Sequence, residues 1–154
     1  MNNSEQSRLK RRIKSKNYYE KNKYRLCNNK LNFYSFYAIE QIQENCKETV
    51  NEYFERYPFE MYAENYILKE LYKKNIYSTQ DKYADCYDAG MIAYLYSICR
   101  CAYMKYNHTE AYIKKMVRVY IICALVVYTD TYNLCRENGF QEVRLDAHAS
   151  INCC

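Results

Sequence analysis

The chain has 154 residues, enough for one domain with a hydrophobic core, and only two Gly and one Pro, which excludes a turn-rich all-β fold. The net charge of +5 is unevenly placed: residues 1–30 carry ten Lys/Arg against Glu5 and Glu20, a net of +8, so residues 31–154 carry −3. Nine Cys, an odd number, and no secretory leader predict a reducing intracellular setting, with the thiols acting as small hydrophobes.

In chain order, residues 4–28 read as a first helix, with Ser4 as its cap and Leu9 and Ile13 as a thin apolar stripe. Its run Arg8, Lys10, Arg11, Arg12, Lys14, Lys16 has two readings: a solvated basic face, or a surface for phosphates. It begins without interleaved aromatics and carries no motif of a known nucleic-acid module. Residues 33–57 form the clearest amphipathic helix, with Ile39, Ile42, Cys46, Val50, Tyr53 and Tyr57 at steps of three and four. Pro58 ends it, because the residue before a proline avoids helical geometry. A shorter helix over 59–75 carries Met61, Tyr62, Ile67, Leu68 and Leu71. After a break at Asn75–Thr79, Ser78 and Asp81 form a capping-box-like start.

The next helix organises the chain. From Ala89 to Met104 its only charge is Arg100, and a helix without a wet face belongs inside a bundle. Gly90 sits where polar residues give way to apolar ones. Glycine inside a helix costs about 1 kcal/mol relative to alanine, which implies close packing there, by a neighbouring helix or by a ligand. Asn107 interrupts the helix and Thr109 caps a long one over 110–137. The unbroken apolar run of that helix, Val119–Tyr128, is too short for a bilayer, which needs roughly 20 residues. Gly139 stops it; Phe140, Val143 and Leu145 suggest a last turn, and 144–154 a disordered tail. The expectation is one all-α domain of about seven helices centred on 89–105.

Catalytic and metal patterns are weak. His108 and His148, the only histidines, have no nucleophile in a recognisable relation to them. Cys99 and Cys101 point to opposite sides of a helix, and His148, Cys153 and Cys154 would need zinc ligands from elsewhere. Neither an enzyme nor a cofactor is expected. The terminal Cys153-Cys154 is open to two readings, a prenylated end or an unstructured tail.

One family fits the order of these helices. The stretch Tyr83-Ala84-Asp85-Cys86-Tyr87-Asp88-Ala89-Gly90-Met91-Ile92-Ala93-Tyr94-Leu95-Tyr96 resembles the first homology region of the B-cell lymphoma-2 (Bcl-2) apoptosis regulators, Phe-x-Asp-x-Val-Asn-Trp-Gly-Arg-Ile-Val-Ala-Phe-Phe. Arg136-Glu137-Asn138-Gly139-Phe140-Gln141-Glu142-Val143 is similar to the second region. Cys46-x-x-x-Val50-Asn51-Glu52-Tyr53, followed by Arg56-Tyr57, is similar to the third. The matches occur in order over 46–143. They depart from the pattern at Met91, where the family has Arg, at Asp88-Ala89 for Asn-Trp, and at Val50 for Gly. Such degeneracy resembles viral members.

The resemblance implies a Bcl-2-like bundle with a central buried hairpin of helices. It also implies a function, the capture of pro-apoptotic BH-3 helices in a hydrophobic groove, and so inhibition of apoptosis. Tyr53, Tyr57, Met61, Ala93 and Ile98 would line the groove, and Gly90 would meet a small residue of the ligand helix. Asp85, Asp88, Met91, Tyr94 and Phe140 complete the set through their places in the motifs. The missing Arg would cost on the order of 2 kcal/mol, a factor of about 30 in affinity. The implied location is the cytoplasm or the mitochondrial surface, without a membrane anchor. No small-molecule substrate is expected; homodimerisation and membrane association stay open. Two other readings remain: a Bcl-2-fold immunomodulator that blunts inflammatory signalling through flat helical faces, and, less expected, a basic nucleic-acid-binding or virion protein. An open groove separates the first reading from the second.

Overall fold

A run of helices without a strand accounts for the described chain, a computed structural model giving the backbone of residues 2–138 and the side chains of 2–129. The elements are α1 (Asn3–Asn29), a wide π-turn (Lys30–Tyr34), α2 (Ser35–Asn45), α3 (Lys47–Arg56), α4 (Phe59–Tyr62), α5 (Glu64–Lys73), α6 (Lys82–Met104) and α7 (Thr109–Asn138). The all-α expectation holds. Gly139, Phe140 and the tail lie outside the described residues.

The boundaries differ in instructive ways. At the start, Glu5 accepts the Asn2 N–H at 3.4 Å, so the cap lies at Asn2 and not at Ser4. No break separates the first helix from the second. α1 passes through the π-turn into α2, and the chain first bends at Cys46 (φ −133, ψ 34), inside the expected helix 33–57. Ser35 donates its hydroxyl proton to the Lys30 carbonyl (2.5 Å), a bond that fixes the wide turn. With that proton committed, the Tyr120 hydroxyl donates to Ser35 Oγ at 2.7 Å, tying the turn to α7. Burial pushes the Tyr120 phenol up, so it stays a donor.

Pro58 separates α3 from α4 as expected, with Tyr57 extended before it (φ −125, ψ 68). Asn75 takes φ 56 and ends α5, with the Ile76 N–H on the Leu71 carbonyl at 2.9 Å. Asparagine tolerates this left-handed conformation better than most residues. The next turn is held by the Gln80 side chain accepting the Tyr77 N–H at 3.0 Å, and not by Ser78 and Asp81.

α6 buries Cys86, Ala89, Gly90, Ala93, Tyr94, Ser97, Ile98, Cys99, Cys101 and Ala102. It is central but not dry all round: Met91, Tyr103 and Met104 are exposed, and Ile92 and Leu95 are half-buried. Lys105 (φ 52) turns the chain, and the Tyr106 N–H closes on the Cys101 carbonyl at 2.9 Å. α7 follows, with His108 as its flanking residue; the Thr109 hydroxyl instead donates back to the Tyr106 carbonyl at 3.2 Å. α6 and α7 form the core hairpin, joined through Ile98, Ile113, Val117 and Ile121, each fully buried.

Among the described residues one carboxylate is inside. Glu70 on α5 is buried and meets Lys74 at 2.7 Å and Lys73 at 3.6 Å. Burial alone pushes its pKa up, but Lys74, then Lys73, outweigh that and hold it below its usual 4.5. A depressed carboxylate stabilises the fold above its unfolded pKa, and that stability is lost as pH falls through the folded value. Urea unfolding between about pH 6 and pH 3 is therefore expected to show an acid loss of stability that Glu70→Gln reduces. An unchanged acid limb in Glu70→Gln would remove Glu70 from the account.

Candidate functional site: a face closed by its own side chains

The residues of the expected groove belong to α3, the Pro58 turn, α4 and the first half of α6. α3 forms because Val50 and Tyr53 share one side of a short amphipathic turn, and both are buried. Pro58 redirects the chain so that Phe59 lies over α6. α5 brings Ile67, which has no exposed surface, onto the same helix.

The centre of the face is Tyr94. Its ring is flanked by Phe59 at 5.4 Å and Phe54 at 5.9 Å, both edge-on. Its hydroxyl donates to the Tyr57 carbonyl at 2.6 Å, the group left over where α3 ends before Pro58. Burial, with a smaller contribution from Glu60, pushes the Tyr94 phenol up to about 12. Tyr53 packs edge-on against Tyr57 at 6.1 Å and reaches the Tyr106 carbonyl at 3.3 Å. Tyr57 in turn meets Tyr62 at 5.2 Å. Edge-to-face pairs of this kind add roughly 0.5–1.5 kcal/mol beyond their buried area.

Gly90 settles what packs beside it. A Cβ built there would lie 2.8 Å from Ile67 Cγ1 and 3.0 Å from its Cδ1 and Cγ2. Of the two readings of Gly90, a neighbouring helix or a ligand, Ile67 fits the first. Gly90 is the crossing point of α5 and α6.

The expected site residues do not converge on one open cleft. Gly90, Ala93 and Ile98 are core, Tyr53 and Tyr94 are buried, and Tyr57 is half-buried. Met61, 74% exposed, and Met91, 40% exposed, lie outside, as do Asp85 and Asp88. Desolvation, then the Asp88 charge, push the Asp85 carboxyl up. Phe140 lies outside the described residues. Phe54, Phe59, Ile67 and Tyr94 fill the space where the resemblance implies a groove. The sequence places Ile67 only on the stripe of its own helix. The signal that could have found it was the glycine, which demands a bulky neighbour once no ligand is assumed.

A shallow concavity of about 430 Å³ opens beside Tyr57, lined by Asn107, His108, Glu110, Ala111 and Lys114. Lys114 is committed there, to Glu110 at 3.4 Å and over the Tyr66 ring at 5.3 Å. Elsewhere burial pushes the thiols of Cys86 and Cys99 up to about 11, and that of Cys123 to about 12, so they stay protonated at neutral pH. Among the described residues no cluster of His, Cys, Asp and Glu is arranged to hold a metal, and no helix is long and apolar enough to cross a membrane. No known protein family, curated protein or solved structure matches the chain.

Proposed function

We propose that this chain is a Bcl-2-like helical regulator that acts by binding protein partners, in the signalling that leads to inflammation or cell death. The support is positional. The stretches similar to the third, first and second homology regions run in order, the third-like one on α3 and the first-like one on α6, and α3 packs directly on α6. The observation that bears on the mode of binding is Ile67 on Gly90. A face already filled by its own side chains favours partners docking on outer helical faces, which is the immunomodulator reading. Capture of pro-apoptotic BH-3 helices is the second reading, favoured by the register of the first-region match around Gly90. It requires α5 to move off α6.

Calorimetric titration of the purified chain with a panel of pro-apoptotic BH-3 peptides separates the two. Outer-face binding predicts dissociation constants weaker than about 10 μM for every peptide, together with suppression of an inflammatory-signalling reporter in cells. Submicromolar binding by even one peptide, with protection from an apoptotic stimulus, would establish groove capture instead. A chain that does neither would sink both readings.

A further inference from the structure

The N-terminal half of α1 takes no part in the bundle. Residues 2–21 are all exposed, including Leu9 at 48% and Ile13 at 51%. The segment is held helical because it continues into the anchored stretch from Cys27 onward, not because anything covers it. Its charges oppose it: Arg8 and Arg12, Lys10 and Lys14, and Arg12 and Lys16 are like-charged neighbours one turn apart, an arrangement that destabilises a helix. Among the described residues the ion pair on this helix is Lys23 with Glu20, at 3.7 Å, which leaves Arg8 through Lys16 without a carboxylate. A long, exposed helix that repels itself, on a chain whose remaining residues carry the opposite net charge, is complementary to a polyanion.

We infer that α1 is a binding element for double-stranded nucleic acid, lying in a groove with phosphates on both flanks. The distribution of charge selects this partner. At 3.6 residues per turn, Arg8, Lys10, Arg11, Arg12, Lys14 and Lys16 surround the helix except for one arc of roughly 120°, which holds Leu9 and Ile13. A helix lying on a membrane needs a broad apolar face opposite its charges. Here two residues supply that face, and most of the basic side chains would point away from a flat surface. The major groove of B-form DNA is about 12 Å wide, admits one helix, and offers phosphates on either side of it. Single strands are held by stacking on aromatic side chains, and residues 1–17 contain none. Recognition would be of the backbone and not of sequence, since the basic residues are suited to phosphates.

Fluorescence anisotropy of the full chain with 24-base-pair DNA and RNA duplexes of arbitrary sequence tests this. Binding should weaken with a log–log salt slope of about −4 to −6, the signature of roughly five or six phosphate contacts. Replacing Arg11, Arg12, Lys14 and Lys16 together by Gln should cut affinity at least tenfold and flatten the slope by about 3. These residues are exposed, so the melting temperature serves as the control for folding. Replacing the exposed bundle residues Lys47, Lys69, Lys115 and Arg118 by Gln removes the same charge and should leave the slope unchanged. The inference is overturned by no binding at about 50 mM salt, by equal loss in the two variants, by tighter binding to the matching single strand, or by preference for phosphatidylserine vesicles over duplex.

Discussion

Gly90→Ala is expected to destabilise the protein, although alanine is the better helix former by about 1 kcal/mol. The added methyl would sit 2.8–3.0 Å from three atoms of Ile67. Ile67 has no exposed surface into which it could swing, and its nearest atom is Cγ1, close to its own backbone. Overpacking of this kind costs typically about 1–3 kcal/mol, enough to cancel or exceed the propensity gain. Gly90→Glu adds a carboxylate to the same crossing and is expected to abolish cooperative folding. Urea melts of wild type, Gly90→Ala, Ile67→Val and the double variant check this. The double variant should be more stable than the sum of the single losses, because Ile67→Val removes one of the clashing methyl groups. A Gly90→Ala protein more stable than wild type would mean that α5 does not rest on α6 at this point.

Tyr94→Ala is expected to cost about 3–5 kcal/mol, the range for truncating a large buried aromatic. The ring is 5% exposed and holds Phe54 and Phe59 in place, so its loss leaves a void between α3, α4 and α6. Tyr94→Phe keeps the packing and removes only the donor to the Tyr57 carbonyl, for which about 1 kcal/mol is expected. Chemical denaturation of the two variants separates the contributions. If Tyr94→Ala costs no more than Tyr94→Phe, the face is not closed by the ring. The same variant bears on the proposed mode of binding. If Tyr94→Ala gains affinity for BH-3 peptides, the closed face is a latched groove.

Much of the architecture was legible because it depends on local chemistry. Pro58 and the break before Thr109 each act on the residues next to them, and both boundaries fell where that action predicts. The errors at Ser4 and Ser78 are of one kind. Several polar residues near a helix end compete for the same backbone donors, and sequence does not rank Asn2 above Ser4 or Gln80 above Asp81. The contact of Ile67 with Gly90 was illegible for a different reason. Periodicity reports that Ile67 faces inward and that Gly90 leaves room, but not that they face each other. Twenty-three positions separate them, and only the path of the chain through Asn75 and Lys82 brings them together.

The wide turn at Lys30–Tyr34 makes length itself a structural parameter. Cys27, Leu31, Ser35 and Ile39 are all buried and spaced at strict four-residue intervals. In a straight α-helix such a row drifts about 40° per step, so its ends would diverge by roughly 120°. The wider turn absorbs the drift and keeps the row in phase, so that α1 and α2 present one continuous edge to the α6–α7 hairpin. The joint works like a vernier. Its exposed Asn32, Phe33 and Tyr34 are free to vary in identity, but losing one residue between Leu31 and Ser35 would turn everything upstream by about 100°. Cys27 would then rotate away from α7, and the charged half of α1 would swing to a new bearing with it.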